Sequence, residues 1–355
     1  MGAVDVGCQM KVLLFQIDGK FPNLALMKLA AWHRAKGDSV FLTPFLRDLP
    51  FVEYDRAYAS SIFEFSGERR KHFAAIVPDA IVGGDGYKPI WNDLAVKGRN
   101  LGSNLREVIN DCNPEAITPD YADYPHFLNS IGYTQRGCRL DCAFCRMKTR
   151  EGEARNVARL AEIWRGEPYP KQIVLLDNDF FGQEEWREIL DEAKAGSFKI
   201  CFNQGINIRL INPEQAHELA GVLYCDDQFK TRRLYTAWDN LGDEKVFKEG
   251  VRVMVEAGIP ARHLMVYMLI GFRKGETEDE ILYRFNEMVK LGCRPYPMVF
   301  DRTNARLRAF QRWGIRRYYE FVPWERYGEK AEERIALVEM QPNLFTPKAE
   351  QIKLL

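Results

Sequence analysis

The apolar and polar positions of this chain alternate between strand-like and helix-like spacing from the start. Lys11 to Asp18, KVLLFQID, reads as a strand, and Phe21 to Lys36 places Leu24, Leu26, Met27, Leu29 and Ala30 at helical spacing before Gly37. SVFLTPF then predicts a second strand. A further strand over Ala57 to Phe65, the basic helix-like GERRKHF and a strand AIVPDAIVGG complete an open α/β layer by about Tyr87. Residues 88–130 lose this regularity: Pro89, Pro114, Pro119 and Pro125 suit an extended connection. From Ile131 a strand-then-helix unit recurs six times, with strands near IGYTQ, KQIVLLD, FKICFNQG, RRLYTAW, HLMVYMLIG and RPYPMVF. Asn212-Pro213, the pair Thr277 and Glu280, and Gly221, Gly258 and Gly292 punctuate the intervening helices. Six units predict a parallel sheet curved into a partial, TIM-like (β/α)6 barrel, with its chemistry gathered at the carboxyl ends of the strands. The expected division is a Rossmann-like open α/β domain over 1–88, a linker over 89–130, the (β/α)6 core over 131–301 and a basic, aromatic, helical extension over 302–355.

Composition narrows the partners. An apolar share of 46% in 355 residues suffices for two buried cores, and fifty Lys+Arg balance fifty Asp+Glu. Zero formal charge removes whole-chain attraction to nucleic acid or anionic lipid, so any such partner needs a local patch. The longest apolar stretch, Leu264 to Phe272, is far short of the roughly 20 residues that span a bilayer, and the first ten residues form no leader. A cytoplasmic protein with no membrane partner is expected.

Eight cysteines are too few for a disulfide scaffold, and three of them fall within eight residues. Cys8, Cys112, Cys201, Cys225 and Cys293 stand alone and are expected to be core residues or idle thiols. In GYTQRGCRLDCAFCRMK, Cys138, Cys142 and Cys145 have C-x3-C-x2-C spacing directly after a predicted strand. Three thiolates on one loop suit three irons of a [4Fe-4S] cubane and leave the fourth iron open to a small molecule. The alternative is a zinc knuckle, which wants four ligands; the nearest histidine, His126, lies twelve residues upstream of Cys138 and there is no second cysteine pair.

This loop, with Phe144 before its third cysteine and six βα units around it, resembles that of the radical S-adenosylmethionine superfamily over residues 131 to about 300. The resemblance implies that the open iron chelates the amino and carboxylate groups of S-adenosylmethionine. A reduced cluster then cleaves the sulfonium to a 5'-deoxyadenosyl radical that abstracts hydrogen from a substrate. It also implies an electron donor such as flavodoxin or ferredoxin. Carried over by position, Asp177 and Asn178 in LLDNDF stand where the family contacts the methionine amino group. In FNQGINIRL, Arg209 suits the methionine carboxylate, and Gln204 and Asn207 suit ribose or substrate. Asp239 in TAWDN is a further rim residue, with capping of the next helix as the alternative for it or Asn240. Ile270 and Gly271 in VYMLIGF stand where the family's backbone meets adenine, although Tyr267 replaces a glycine there.

The opening segment resembles the cobalamin-binding domain that precedes many such cores, and IVGGDGY resembles its glycine-rich strand end. No histidine among His33, His72, His126, His217 and His263 has Asp two residues before it, so the Asp-x-His-x-x-Gly ligand signature is absent. Gly83, Gly84 and Gly86 fit no dinucleotide or Walker pattern. Degenerate packing is favoured over cobalamin, and a cobalamin-dependent radical methyltransferase is the alternative. Between Arg302 and Arg317, six arginines interleave with Phe310 and Trp313, a composition that suits either phosphate and base contacts, with Trp324, Arg326 and Tyr327, or a last helix packed on the core with a solvated arginine face. A nucleic-acid or partner-binding protein that keeps a structural cluster is therefore the reading from another class.

Overall fold

A computed structural model describes residues 9–84 and 113–329. Cys8, Gly86, Pro89, Cys112 and the tail beyond 329 lie outside the described residues. The chain is mixed α/β with parallel sheets and divides into two compact units. Within the described residues, the first holds 9–84, 113–132 and 157–171, and the second holds 133–156 and 172–329.

In the first unit, β1 (Lys11–Gln16), β2 (Ser39–Thr43), β3 (Arg56–Ser60) and β4 (Ile81–Gly83) form one parallel sheet in the order β2-β1-β3-β4. Successive side chains of a strand point to opposite faces, and here both faces are buried. Leu13, Phe15, Ala57 and Ala59 pack with Phe73 and Val77, while Val12, Leu14 and Tyr58 pack with Leu26, Leu29 and Ala30. Helices α1 (Leu24–Ala35) and α2 (Gly67–Ile76) supply those partners. The helix expected from Phe21 begins at Leu24 because Asn23 caps it, accepting from the Leu26 N–H at 3.2 Å. The strand expected to run to Phe65 ends at Ser60, and the one expected to begin near Ala74 is confined to Ile81–Gly83. Residues 74–76 instead finish α2, where Phe73 and Ala74 are buried, before Pro78. His33 is a core histidine, fully buried between Asp38 (2.7 Å) and the Tyr58 hydroxyl (3.1 Å).

In the second unit, β8 (Gln172–Leu175), β9 (Lys199–Phe202) and β10 (Leu223–Tyr224) pair in parallel, and β11 (Leu234–Ala237), β12 (Leu264–Ile270) and β13 (Arg294–Val299) form a second parallel sheet in that order. β5 (Ser130–Gly132) falls in the first unit, and β6 (Gln135–Arg136) and β7 (Arg155–Asn156) form a short antiparallel pair. The first strand of the expected repeat is thus split at Tyr133 and Thr134. A continuous six-stranded sheet is not observed: the ladder is interrupted between β9 and β11, where the Ile206 N–H instead donates to the Tyr235 carbonyl at 2.8 Å. Gly205 (φ +90°) makes this approach, and a Cβ there would lie 2.9 Å from the same carbonyl. The cap at Asn212 and the capping box at Thr277 form as expected, Asn212 making a capping box with Gln215 as well, and Gly258 and Gly292 take left-handed conformations after their helices, whereas Gly221 stays helical. No helix among the described residues is long and apolar enough to cross a membrane.

Candidate functional site

The cysteine loop lies wholly in the second unit and is held at both ends. Gly137 has φ +83°, and a Cβ there would stand 2.1 Å from the Glu153 carbonyl, so only glycine lets the two ends of the loop meet. The Cys138 N–H donates to the Gly152 carbonyl at 3.2 Å, and the Cys145 N–H to the Cys142 carbonyl at 2.8 Å. Glu151 accepts from the Gly137 N–H (3.1 Å) and the Asn178 amide (3.0 Å), and it pairs with Arg136 at 3.1 Å.

Two aspartates just after β8 brace the loop from beneath. Asp177 is 3% exposed and accepts from the Thr134 N–H (2.8 Å), the Gln135 N–H (3.1 Å) and the Thr134 hydroxyl. Burial outweighs these donors and pushes its carboxyl up to about 7. Asp179 takes Arg139 in a forked pair, 2.7 and 2.9 Å, together with the Arg139 N–H at 3.1 Å. Asp177 and Asn178 therefore sit at the expected strand end with their polar atoms engaged by the loop. Asp179, Arg139, Glu151 and Gly137 were missed from sequence; the repeat of Asp in LLDNDF and the glycines at 137 and 152 were the available signals.

Cys138 and Cys142 are half-buried and Cys145 is exposed. Burial pushes the Cys138 thiol up, and the charges of Asp179, Cys145 and Cys142 add to that effect. Arg209 reaches Cys142 Sγ through Nη2 at 3.6 Å, while its Nη1 pairs with Asp243 at 2.9 Å and its Nε donates to Asn207 Oδ1 at 3.4 Å. The Asn207 amide nitrogen is buried and has no hydrogen-bond partner. Gln204 is exposed. The fold thus brings Arg209, with Asn207 hydrogen-bonded to it, onto Cys142 across a separation of more than sixty residues.

At the other strand ends the engagement is internal. Asp239 accepts from the Leu269 N–H at 2.7 Å, and burial raises its carboxyl. Asn240, not Asp239, caps the following turn, accepting from the Gly242 N–H at 3.1 Å. Ile270 is buried, and the Gly271 N–H donates to Glu276 at 2.7 Å. Beside them Phe144 meets Phe272 edge-on at 5.6 Å, and Phe272 meets Phe300 at 4.9 Å, a row of half-exposed rings running from the loop to the ends of β12 and β13.

The donors present are three cysteines on one loop, a guanidinium on Cys142 and an unsatisfied amide beside that guanidinium; thiolates are the ligands an iron–sulfur cubane would take. Among the described residues no three His, Cys, Asp or Glu side chains converge on one point as a single ion requires. Ligands to a cubane take separate irons and need no such convergence. In the C-terminal extension, Phe310 and Trp313 are buried in an aromatic cluster with Phe285 and Trp324, and Arg306 and Arg317 pair with Glu278 and Glu320. That arrangement is a packed helix (Ala305–Ile315), with Arg308 and Arg312 left on its exposed face and Arg316 exposed at its end. Compared with family models, curated proteins and solved structures, the chain matches none.

Proposed function

We propose that this chain is a radical S-adenosylmethionine enzyme, cytoplasmic and reduced by a donor such as flavodoxin or ferredoxin. The observation that carries the reading is the braced loop that bears Cys138, Cys142 and Cys145 and meets Arg209 at Cys142. In the same reading the two parallel sheets of the second unit are the parts of a partial (β/α)6 barrel, supported by the single bond from Ile206 to Tyr235 where the ladder is interrupted. A [4Fe-4S] cluster held by the three thiolates supplies, when reduced, the electron that cleaves S-adenosylmethionine to a 5'-deoxyadenosyl radical for hydrogen abstraction.

The chain's own residues do the rest. Arg209, fixed by Asp243 and Asn207, presents cationic N–H groups for the methionine carboxylate, and the free Asn207 amide offers one more donor. Phe144, Phe272 and Phe300 give the loop an exposed apolar flank. Asp177 and Asp179 position the loop through Thr134, Gln135 and Arg139. In the first unit the strand ends are self-satisfied: Asp18 accepts from Ser61 Oγ and from the N–H groups of Ile62 and Phe63, and Gln16 Nε2 donates to three carbonyls. This favours a packing role there over cobalamin binding.

The test is 5'-deoxyadenosine formation by anaerobically reconstituted, dithionite-reduced protein, with iron counting and electron paramagnetic resonance before and after S-adenosylmethionine is added. Product, about four irons per chain and a shifted spectrum are expected, all lost in Cys142→Ala. A full cluster whose spectrum ignores S-adenosylmethionine would overturn the assignment in favour of a structural cluster.

A further inference from the structure

The entry ends of the strands in the second unit carry a second polar cluster, separate from the cysteine loop. Lys199 opens β9, Arg233 directly precedes β11, Arg262 and His263 directly precede β12, and Arg294 opens β13. Leu234 lies opposite Leu264, and Met265 opposite Arg294. Arg233, His263 and Arg294 therefore begin three neighbouring strands, each about 4.8 Å from the next. Arg232 is anchored outside them: its Nη1 donates to the Val222 carbonyl at 2.8 Å and its guanidinium lies 3.7 Å over the Tyr224 ring. The Tyr224 hydroxyl is in turn 2.8 Å from His263 Nδ1.

Arg233 is the anomaly. Its side chain is 8% exposed, and Nη1 has no hydrogen-bond partner. A buried charge normally has a paired or hydrogen-bonded neighbour. The acidic groups nearby are Asp226 and Asp227, and the Asp226 carboxylate is occupied by its own loop, accepting from the Lys230 N–H at 2.9 Å and the Thr231 hydroxyl. Burial and then Arg294 lower the Arg233 pKa, and burial followed by Arg262, Arg232, Arg233 and Arg294 lowers that of His263.

We propose that this end of the strands is a phosphate-type oxyanion site, with Arg233 as its buried donor and Arg262 and Arg294 at its rim. Arginine's planar fork suits phosphate oxygens, and a dianion offsets several clustered cations at once. The phosphate belongs to a free phosphoester or to a nucleic-acid backbone.

The test uses the full chain, reconstituted anaerobically, and needs no readout of the cluster. Inorganic phosphate is titrated by calorimetry at constant ionic strength with chloride as control, and a mixed-sequence single-stranded RNA is titrated by fluorescence anisotropy. Arg233→Met keeps the aliphatic stem and removes the charge; Arg294→Gln changes an exposed residue and guards against a folding defect. Phosphate affinity is expected to fall about tenfold or more in each variant. RNA affinity falling in parallel assigns the phosphate to a nucleic-acid backbone, and RNA affinity unchanged assigns it to a free phosphoester. Wild-type protein that binds neither probe, or variants that bind phosphate as wild type does, would overturn the site.

Discussion

Asp177 shows how much one buried carboxyl can be asked to hold. Its folded pKa, raised to about 7, lies above the unfolded value near 4, so the folded state binds the extra proton between those values. Stability from this group is full below about pH 4 and is lost as pH rises toward about 7. Asp177→Asn keeps an acceptor for the Thr134 and Gln135 N–H groups and cannot ionise, so its denaturation midpoint should be flatter over that window. An identical pH slope in both proteins would refute the assignment. Asp177→Ala leaves two buried N–H groups unpaired and should cost about 2–4 kcal/mol. From the sequence, Asp177 was legible as a residue at a strand end; its direction toward the loop was not, because the partners at 134 and 135 lie more than forty residues away.

Elements were legible where their signals are local. Asn212 and Thr277 hydrogen-bond within their own first turns, so their capping boxes could be read from four consecutive letters. The end of α2 could not: Ala74, Ala75 and Ile76 suit a strand or a helix, and burial of Phe73 and Ala74 beneath the sheet selects the helix. Gly137 belongs to this scale. Gly137→Ala should block closure of the cysteine loop and reduce iron incorporation to a small fraction. Gly275→Ala has a similar φ of +79° but open space around it, and should keep its full iron while losing about 1–2 kcal/mol of stability. Iron counting after anaerobic reconstitution separates the two, and full iron in Gly137→Ala would show that the loop closes without the glycine.

Across the second unit, a buried ion pair ties strand ends to a helix. Arg284, on the helix Glu278–Lys290, is 1% exposed, donates to the carbonyls of Trp238 and Leu269, and pairs with Glu276, which also receives the Gly271 N–H. Glu276→Gln leaves that guanidinium without its counter-charge and should destabilise the unit by about 3–5 kcal/mol. Urea denaturation followed by tryptophan fluorescence reports it, and a change below about 1 kcal/mol would show that the two carbonyls alone satisfy Arg284. Neither Arg284 nor Glu276 stood out in the sequence, where they sit on a helix and in a turn with ordinary charged neighbours.

The order of residues along the chain was enough for the alternation of strands and helices, the local caps and the three cysteines, because each of these depends on periodicity or on contacts within a few residues. Folding was needed to interrupt the sheet after β9, to bury Phe310 and Trp313 away from solvent, to bring Arg209 onto Cys142 and to leave Arg233 buried without a partner. Those outcomes depend on which distant groups compete for the same buried space and the same hydrogen-bonding atoms, and that competition is settled only when the elements pack.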